Sequence, residues 1–137
     1  MGGSLKGLWL IVLSGYPGAG KTLLAKRLVA DYPYLARVGV DELREMLFHE
    51  AYPCRDEFLV YSMIAEMLDA LLKKGYSVVI DSTAPDNVTR EFLLTSKVTR
   101  VNNLLVVFNV EKGVLVERSI ERFGTTKSSA VENASKH

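Results

Sequence analysis

The sequence holds a single cysteine, Cys54, among its 137 residues. One thiol excludes an internal disulfide and any cysteine-rich zinc module. Histidine is nearly as scarce: His49 and His137 stand far apart with no metal-ligand spacing around them, so a histidine metal site is not expected. Charge of one sign is lacking too, with 17 basic against 16 acidic side chains and a net charge of +1. That balance excludes a strongly polycationic nucleic-acid binder, while a small basic patch of Arg44, Arg55, Arg90 and Lys97 stays open. No apolar run approaches the ~20 residues that span a bilayer. Lys6 followed by Leu8–Leu13 looks like a miniature signal peptide. The run is only about six residues, short of the usual roughly 7–15, and no small-residue cleavage site follows. A cytoplasmic protein without a membrane segment is expected. Apolar residues at 48% and charged residues at 24% fit one globular domain over residues 1–137.

Strand and helix patterns alternate along the chain. Leu8–Leu13 is continuously apolar, as in a strand buried on both faces. Helical spacing begins at Lys21, with Leu23, Leu24 and Leu28 on one face, and Asp31-Tyr32-Pro33 stops it. Ala36–Val40 reads as a second strand ending at Asp41, and Asp41–Phe48 as a helix. The longest helix is expected from Asp56 to Lys74, with Gly75 as its stop and Phe58, Leu59, Ile64, Met67, Leu68, Leu71 and Leu72 at helical intervals. Met46, Met63 and Met67 read as core filler. Ser77–Asp81 is a third strand, Asp86-Asn87 caps a helix to about Ser96, and Leu104–Val110 is a fourth strand. Val114–Arg122 reads as a last helix before a polar tail. The alternation predicts an α/β domain with helices on both faces of a parallel sheet, whose ligand sits at the carboxyl ends of the strands.

Gly15-Tyr16-Pro17-Gly18-Ala19-Gly20-Lys21-Thr22 matches G-x-x-x-x-G-K-S/T, with a strand before it and a helix after it. Glycines without a Cβ let backbone amides turn toward phosphate oxygens. The first turn of the following helix adds unsatisfied N–H groups and a positive dipole end. Lys21 is placed for the β- and γ-phosphates and the Thr22 hydroxyl for Mg²⁺. Asp81, closing an apolar strand, suits the metal's surroundings or a turn cap. Asp41 and Arg44, three apart, fit a general base beside an anion-holding arginine. The same spacing also fits an Asp41 helix cap with Arg44 paired to Glu45 or solvent. Arg118 and Arg122 fit arginines that steady a transferring phosphoryl group, or a solvated face paired with Glu117 and Glu121.

These motifs in this order resemble the P-loop kinases, within them the polynucleotide 5′-hydroxyl kinase-like branch. The likeness rests on the Gly15–Thr22 loop, Val40-Asp41-Glu42-Leu43-Arg44, Val78-Val79-Ile80-Asp81-Ser82-Thr83 with Arg90, and Glu117–Arg122. It implies a three-layer α/β/α P-loop nucleoside triphosphate hydrolase fold. In the family the parallel sheet runs 2-3-1-4-5; here the expectation is 2-3-1-4, with no apolar run left for a fifth strand. It implies that Gly15, Tyr16, Pro17, Gly18, Ala19, Gly20, Lys21, Thr22 and Arg118 bind ATP, and that Thr22 and Asp81 serve Mg²⁺. Asp41 would be the general base, with Lys21 and Arg122 the other catalytic groups. Arg44, Thr83 and Arg90 would hold the acceptor, and residues from about 118 to 137 would form a lid and tail. Many relatives carry Asn where this chain has Ala84, which leaves the acceptor's identity open.

The expected activity is therefore ATP- and Mg²⁺-dependent transfer of the γ-phosphate to a hydroxyl. The acceptor is a nucleic-acid 5′ end or a phosphorylated small molecule. Alternatives are a kinase for a sugar, an antibiotic or an aminoacyl-tRNA, a switch-like ATP-binding module, and a simple NTP hydrolase. A monomer, or a homodimer covering the open sheet edge, is expected.

Overall fold

The computed structural model describes residues 6–15, 20–83, 86–109 and 113–120. Its elements in order are β1 (Leu8–Ser14), α1 (Lys21–Asp31), β2 (Leu35–Gly39), α2 (Val40–Phe48), α3 (Glu57–Lys73), β3 (Ser77–Ser82), α4 (Asn87–Leu93), β4 (Val101–Asn109) and β5 (Gly113–Ile120). The sheet order is β2-β3-β1-β4-β5. The first four strands are parallel in the expected 2-3-1-4 arrangement.

The apolar run in β1 serves two faces at once. Leu10 and Val12 join Val78 and Ile80 of β3 and the α3 side chains Val60, Ile64, Leu68 and Leu72 on one side. Ile11 and Leu13 join Val79, Val106 and Ala25 of α1 on the other. Alternate residues of one strand thus feed separate cores, and no face is left for polar side chains. The α3 stripe repeats every four residues, and burying each of its side chains contributes about 1.5–3 kcal/mol. Asp56 caps α3 by accepting from the Leu59 amide at 2.9 Å. At the other end Tyr76 N–H reaches Leu71 C=O and Gly75 N–H reaches Leu72 C=O, with Gly75 at φ 91°. That left-handed turn is the stop glycine provides. Phe58 and Leu59 are exposed rather than in the core, as are Leu23 of α1 and Met46 of α2.

One element departs in kind. Residues 113–120, expected within a helix, form β5, paired antiparallel to β4 from Asn109↔Gly113 to Asn102↔Ile120. A fifth strand is therefore present at the sheet edge, against the expectation of none. Val114, Val116 and Ile120 are β-branched at every second or fourth position, which favours a pleated strand over a helix. The link across residues 110–112 is too short for the crossover of a dozen or more residues that a parallel strand needs, so the chain can only turn back. β5 also covers the β4 edge that had suggested a dimer. β4 begins at Val101, ahead of Leu104, because pairing with β1 outweighs the poor strand propensity of Asn102 and Asn103. α4 ends at Leu93 instead of near Ser96; the Ser96 hydroxyl and Lys97 amide are drawn to Asp69 Oδ1 on α3.

Candidate functional site

The carboxyl ends of β1, β2 and β3 meet the starts of α1 and α2. Gly15 lies so close to β4 that a Cβ there would stand 2.8 Å from Phe108 Cβ and 3.0 Å from its carbonyl oxygen. Gly20 starts α1 in the left-handed region at φ 97°, with no side-chain cap and no acidic residue in the first turn. The first-turn N–H groups of an 11-residue helix are thus left to an external anion.

Asp81 is the centre of the site. In register it sits between Leu13 of β1 and Gly39 of β2. It is 5% exposed, and Lys21, equally buried, places Nζ 3.5 Å from Asp81 Oδ1. The Thr22 hydroxyl donates to Asp81 Oδ2 at 2.5 Å, and Arg37 Nη2 reaches the same oxygen at 2.8 Å. Burial alone would raise the Asp81 carboxyl; hydrogen bonds from Thr22 and Arg37 and the nearby Lys21 charge outweigh it and hold the group below its ordinary value. A cavity of about 390 Å³ is lined by Gly20, Lys21, Thr22, Leu23, Asp41, Glu42 and Asp81. Of the residues singled out in the sequence, Gly20, Lys21, Thr22, Asp41 and Asp81 therefore share one chamber.

These groups suit a nucleotide with its metal. Helix N–H donors and Lys21 fit phosphate, and the Thr22 and Asp81 oxygens are hard ligands of the kind Mg²⁺ takes. Among the described residues no cluster of three or more His, Cys, Asp or Glu forms a metal cage. A metal held here would take the rest of its shell from phosphates and water, which is how Mg²⁺ is commonly bound.

Asp41 stands in the first turn of α2, 49% exposed, with Arg44 Nη1 donating to its Oδ1 at 2.6 Å. It is not the helix cap; that position is Gly39. Arg44 thus pairs with Asp41 and not with Glu45 or solvent. It is 1% exposed and makes a two-pronged contact with Glu57 of α3, Nε at 2.9 Å and Nη2 at 2.8 Å. Tyr61 accepts from it as well, at 3.2 Å, and the Tyr52 ring lies 5.0 Å from the guanidinium carbon. Arg44 links Asp41 of α2 to Glu57 of α3 from a buried position. Of the other residues of the expected basic patch, Arg55 is exposed and paired with Glu50.

Thr83 and Arg90 come together across the strand ends. Arg90 Nε donates to Ser14 Oγ at 3.2 Å, and Ser14 Oγ donates to Thr83 C=O at 3.4 Å. Arg118 lies on β5 and not on a helix. Its backbone pairs with Leu104, three positions below Val107, the partner of Ser14. At ~3.3 Å per residue that is about 10 Å down the sheet from the phosphate end. Tyr16, Pro17, Gly18, Ala19 and Arg122 lie outside the described residues.

Arg37, Glu42, Glu57 and Tyr61 were not expected in the site. A charged residue inside the short apolar β2 was the one available signal for Arg37. Glu57 looked like an ordinary acidic residue in a helix's first turn, and nothing local marks its partner. Beyond the chamber, a groove of about 630 Å³ runs between α3 and α4, with Phe58, Tyr61, Ala65, Val88 and Phe92 on its walls and Glu57 at one end.

Three comparisons bear on this architecture. A search of curated protein sequences finds no match. Among solved structures, a chain of the Pnkp1/Rnl/Hen1 complex superposes with a TM-score of 0.67 at 24% identity, over 79% of this chain and 38% of that one. A chain of the Pnkp1/Rnl/Hen1 RNA repair complex gives 0.65 at 21% identity, over 96% and 44%. A sugar kinase from a Janibacter species gives 0.55 at 22% identity, over 76% and 62%. The present chain thus spans under two-thirds of each of these proteins, and at such identity the likeness is one of fold. No described helix is long and apolar enough to cross a membrane. The family comparison goes further, because the AAA domain model matches residues 10–136, nearly the whole length, and the chain belongs to that family of P-loop proteins.

Proposed function

We propose that this protein is a phosphotransferase that moves the γ-phosphate of ATP to a hydroxyl group, with Asp41 as general base. The observation that carries this reading is the position of Asp41. Its half-exposed carboxylate opens into the same chamber as Lys21, Thr22 and Asp81. A switch that only binds nucleotide has no use for a propped carboxylate across the cavity from the phosphate loop, and a hydrolase would turn it on water, so transfer to an added acceptor separates the two catalytic readings.

In this reading the α1 N–H groups and Lys21 hold the β- and γ-phosphates, and Thr22 with Asp81 would hold Mg²⁺. The metal, when bound, would supply positive charge against the negative charge on the transferring phosphoryl oxygens. Asp41 accepts the acceptor's hydroxyl proton; the oxygen forms its bond to the γ-phosphorus as the bond to the β–γ bridging oxygen breaks, and ADP leaves with that electron pair. Arg44, anchored by Glu57, fixes the Asp41 carboxylate for this task. Thr83 and Arg90 would face the acceptor, and Arg122 would steady the phosphoryl group.

The acceptor reading favoured is a nucleic-acid 5′ end over a bare sugar. The groove beside Glu57 and Tyr61 is walled by aromatic and aliphatic side chains. Such walls suit the flat face of a base, and Ser62 and Thr89, which also line the groove, add hydroxyls that can bond its polar edge. The structural likeness to a chain of an RNA repair complex supports the same choice.

The test is transfer of labelled γ-phosphate with Mg²⁺ to a panel of 5′-hydroxyl DNA, 5′-hydroxyl RNA, nucleosides and sugars. Asp41→Asn should abolish transfer and leave ATP affinity nearly intact, whereas Lys21→Ala should weaken both. Tight ATP binding without transfer to any acceptor would replace the kinase reading with a nucleotide switch. Unchanged turnover in Asp41→Asn would remove the base.

A further inference from the structure

Arg37 is a charged side chain in mid-strand. In the parallel ladder it pairs with Val79, and Gly39 pairs with Asp81, so all four share the α1 face of the sheet. Gly39 leaves a lane free along that face. A Cβ at Gly39 would collide with the Glu42 carboxylate and stand 3.0 Å from Arg37 Nη2. Through this lane Arg37 runs up the sheet to bridge Asp81 and Glu42 with one nitrogen, Nη2.

Two features set this contact apart from a structural ion pair. Arg37 touches Asp81 at Oδ2, the same oxygen to which Thr22 donates. Those two oxygens are the pair suited to a divalent cation, so Arg37 stands as positive charge against the place a metal would take. Second, both carboxylates are held through the single nitrogen Nη2. The Arg37 Nε is buried without a hydrogen-bond partner, unlike Arg44, which engages along a whole edge. Glu42, exposed in the first turn of α2, already bonds the nitrogen that would have to let go of Asp81.

We propose that Arg37 is a resident counter-cation for Asp81 that sets the metal requirement for nucleotide binding, leaving Asp81 for Glu42 when the metal–nucleotide complex enters. In the nucleotide-free protein it neutralises a carboxylate that would otherwise repel a polyphosphate or trap a metal without its nucleotide. This role rests on the nucleotide reading above and adds to it a residue with an electrostatic task of a definite sign. Removing the Arg37 charge makes the chamber more negative. A divalent cation is then held more tightly, and metal-free ATP less tightly.

The experiment is a titration of a fluorescent N-methylanthraniloyl ATP, with Mg²⁺ varied and again in excess chelator. In Arg37→Met, which keeps the apolar stem, the Mg²⁺ concentration for half-maximal binding should fall on the order of tenfold, and chelator-resistant binding should weaken on the same scale. Arg37→Lys, which keeps the charge, should return both toward wild type. Glu42→Gln removes the alternative partner and should raise the Mg²⁺ midpoint. If both affinities of Arg37→Met move in one direction, or neither moves, Arg37 is only structural and the proposal is wrong. Absence of nucleotide binding by the wild-type protein with and without Mg²⁺ would overturn the functional reading, and this proposal with it.

Discussion

Glu57→Gln tests whether the Asp41 platform rests on α3. In the native protein the Glu57 carboxylate accepts two bonds from Arg44, at 2.9 and 2.8 Å, and one from the Cys54 amide at 2.9 Å. Glutamine is nearly isosteric, but its amide turns a donor toward a guanidinium that is itself all donors. Breaking one side of a buried ion pair costs about 3–5 kcal/mol. Two facts reduce that figure. Glu57 is 28% exposed, so water screens part of the pair, and Arg44 keeps its contacts with Asp41 and Tyr61. About 2–3 kcal/mol remains, a fall in Tm of roughly 8–12 °C for a chain of this size. Urea unfolding followed by far-UV circular dichroism at pH 7 should show the midpoint falling with the slope unchanged.

The pH dependence gives a second, independent reading of the same pair. Burial alone would push the Glu57 carboxyl up, but bonds from Arg44 and Cys54 bring it down to about 2. An unfolded glutamate titrates near ~4.3. A folded value below the unfolded one stabilises the protein fully above pH ~4.3, and that stability is lost as pH falls toward the folded value. The gap between wild type and Glu57→Gln should therefore be constant from pH 7 to about 5 and close steadily below it. A variant within about 0.5 kcal/mol of wild type at pH 7, or a gap indifferent to acid, would refute the claim that Glu57 holds Arg44.

Gly15→Ala forces a methyl against Phe108 Cβ and its carbonyl, which β4 cannot easily yield. Overpacking of about 1–3 kcal/mol is expected by urea unfolding, with nucleotide affinity reduced more than stability alone explains. Leu68→Ala removes a fully buried α3 side chain from the larger core and should cost about 2–5 kcal/mol, with no change in the Mg²⁺ midpoint of the folded fraction.

Where a segment's fate is decided by its own periodicity, the sequence was enough. The doubly apolar β1, the α3 stripe from Ile64 onward and the Gly75 stop follow from local pattern, whereas the 2-3-1-4 strand order is implied by the resemblance to P-loop kinases. Residues 113–120 mark the limit. Val114, Leu115 and Val116 fit a helical stripe as well as a pleated strand over so short a run; β-branching leans toward the strand, and pairing with β4 decides it. The same holds for the arginines. Spacing placed Arg44 beside Asp41, which is true, but its commitment to Glu57 depends on α3 folding across α2.

The charge arithmetic of the chamber then explains why neutrality of the whole chain was a misleading clue. Its walls carry one lysine against three carboxylates, Asp41, Glu42 and Asp81. Among the described lining residues, a polyphosphate anion meets favourable charge from Lys21 and the uncapped start of α1, and that attraction must exceed repulsion from three acids, of which Asp41 is already paired with Arg44. Arg37 cancels part of this by leaning on Asp81 and Glu42, yet in doing so it fills the coordination space a cation would use. The two requirements conflict unless positive charge arrives with the nucleotide itself. An acidic chamber with an internal cation bridging two of its carboxylates therefore favours the metal–nucleotide complex over either component alone, and metal-free ATP should be the weakest of the nucleotide ligands tested.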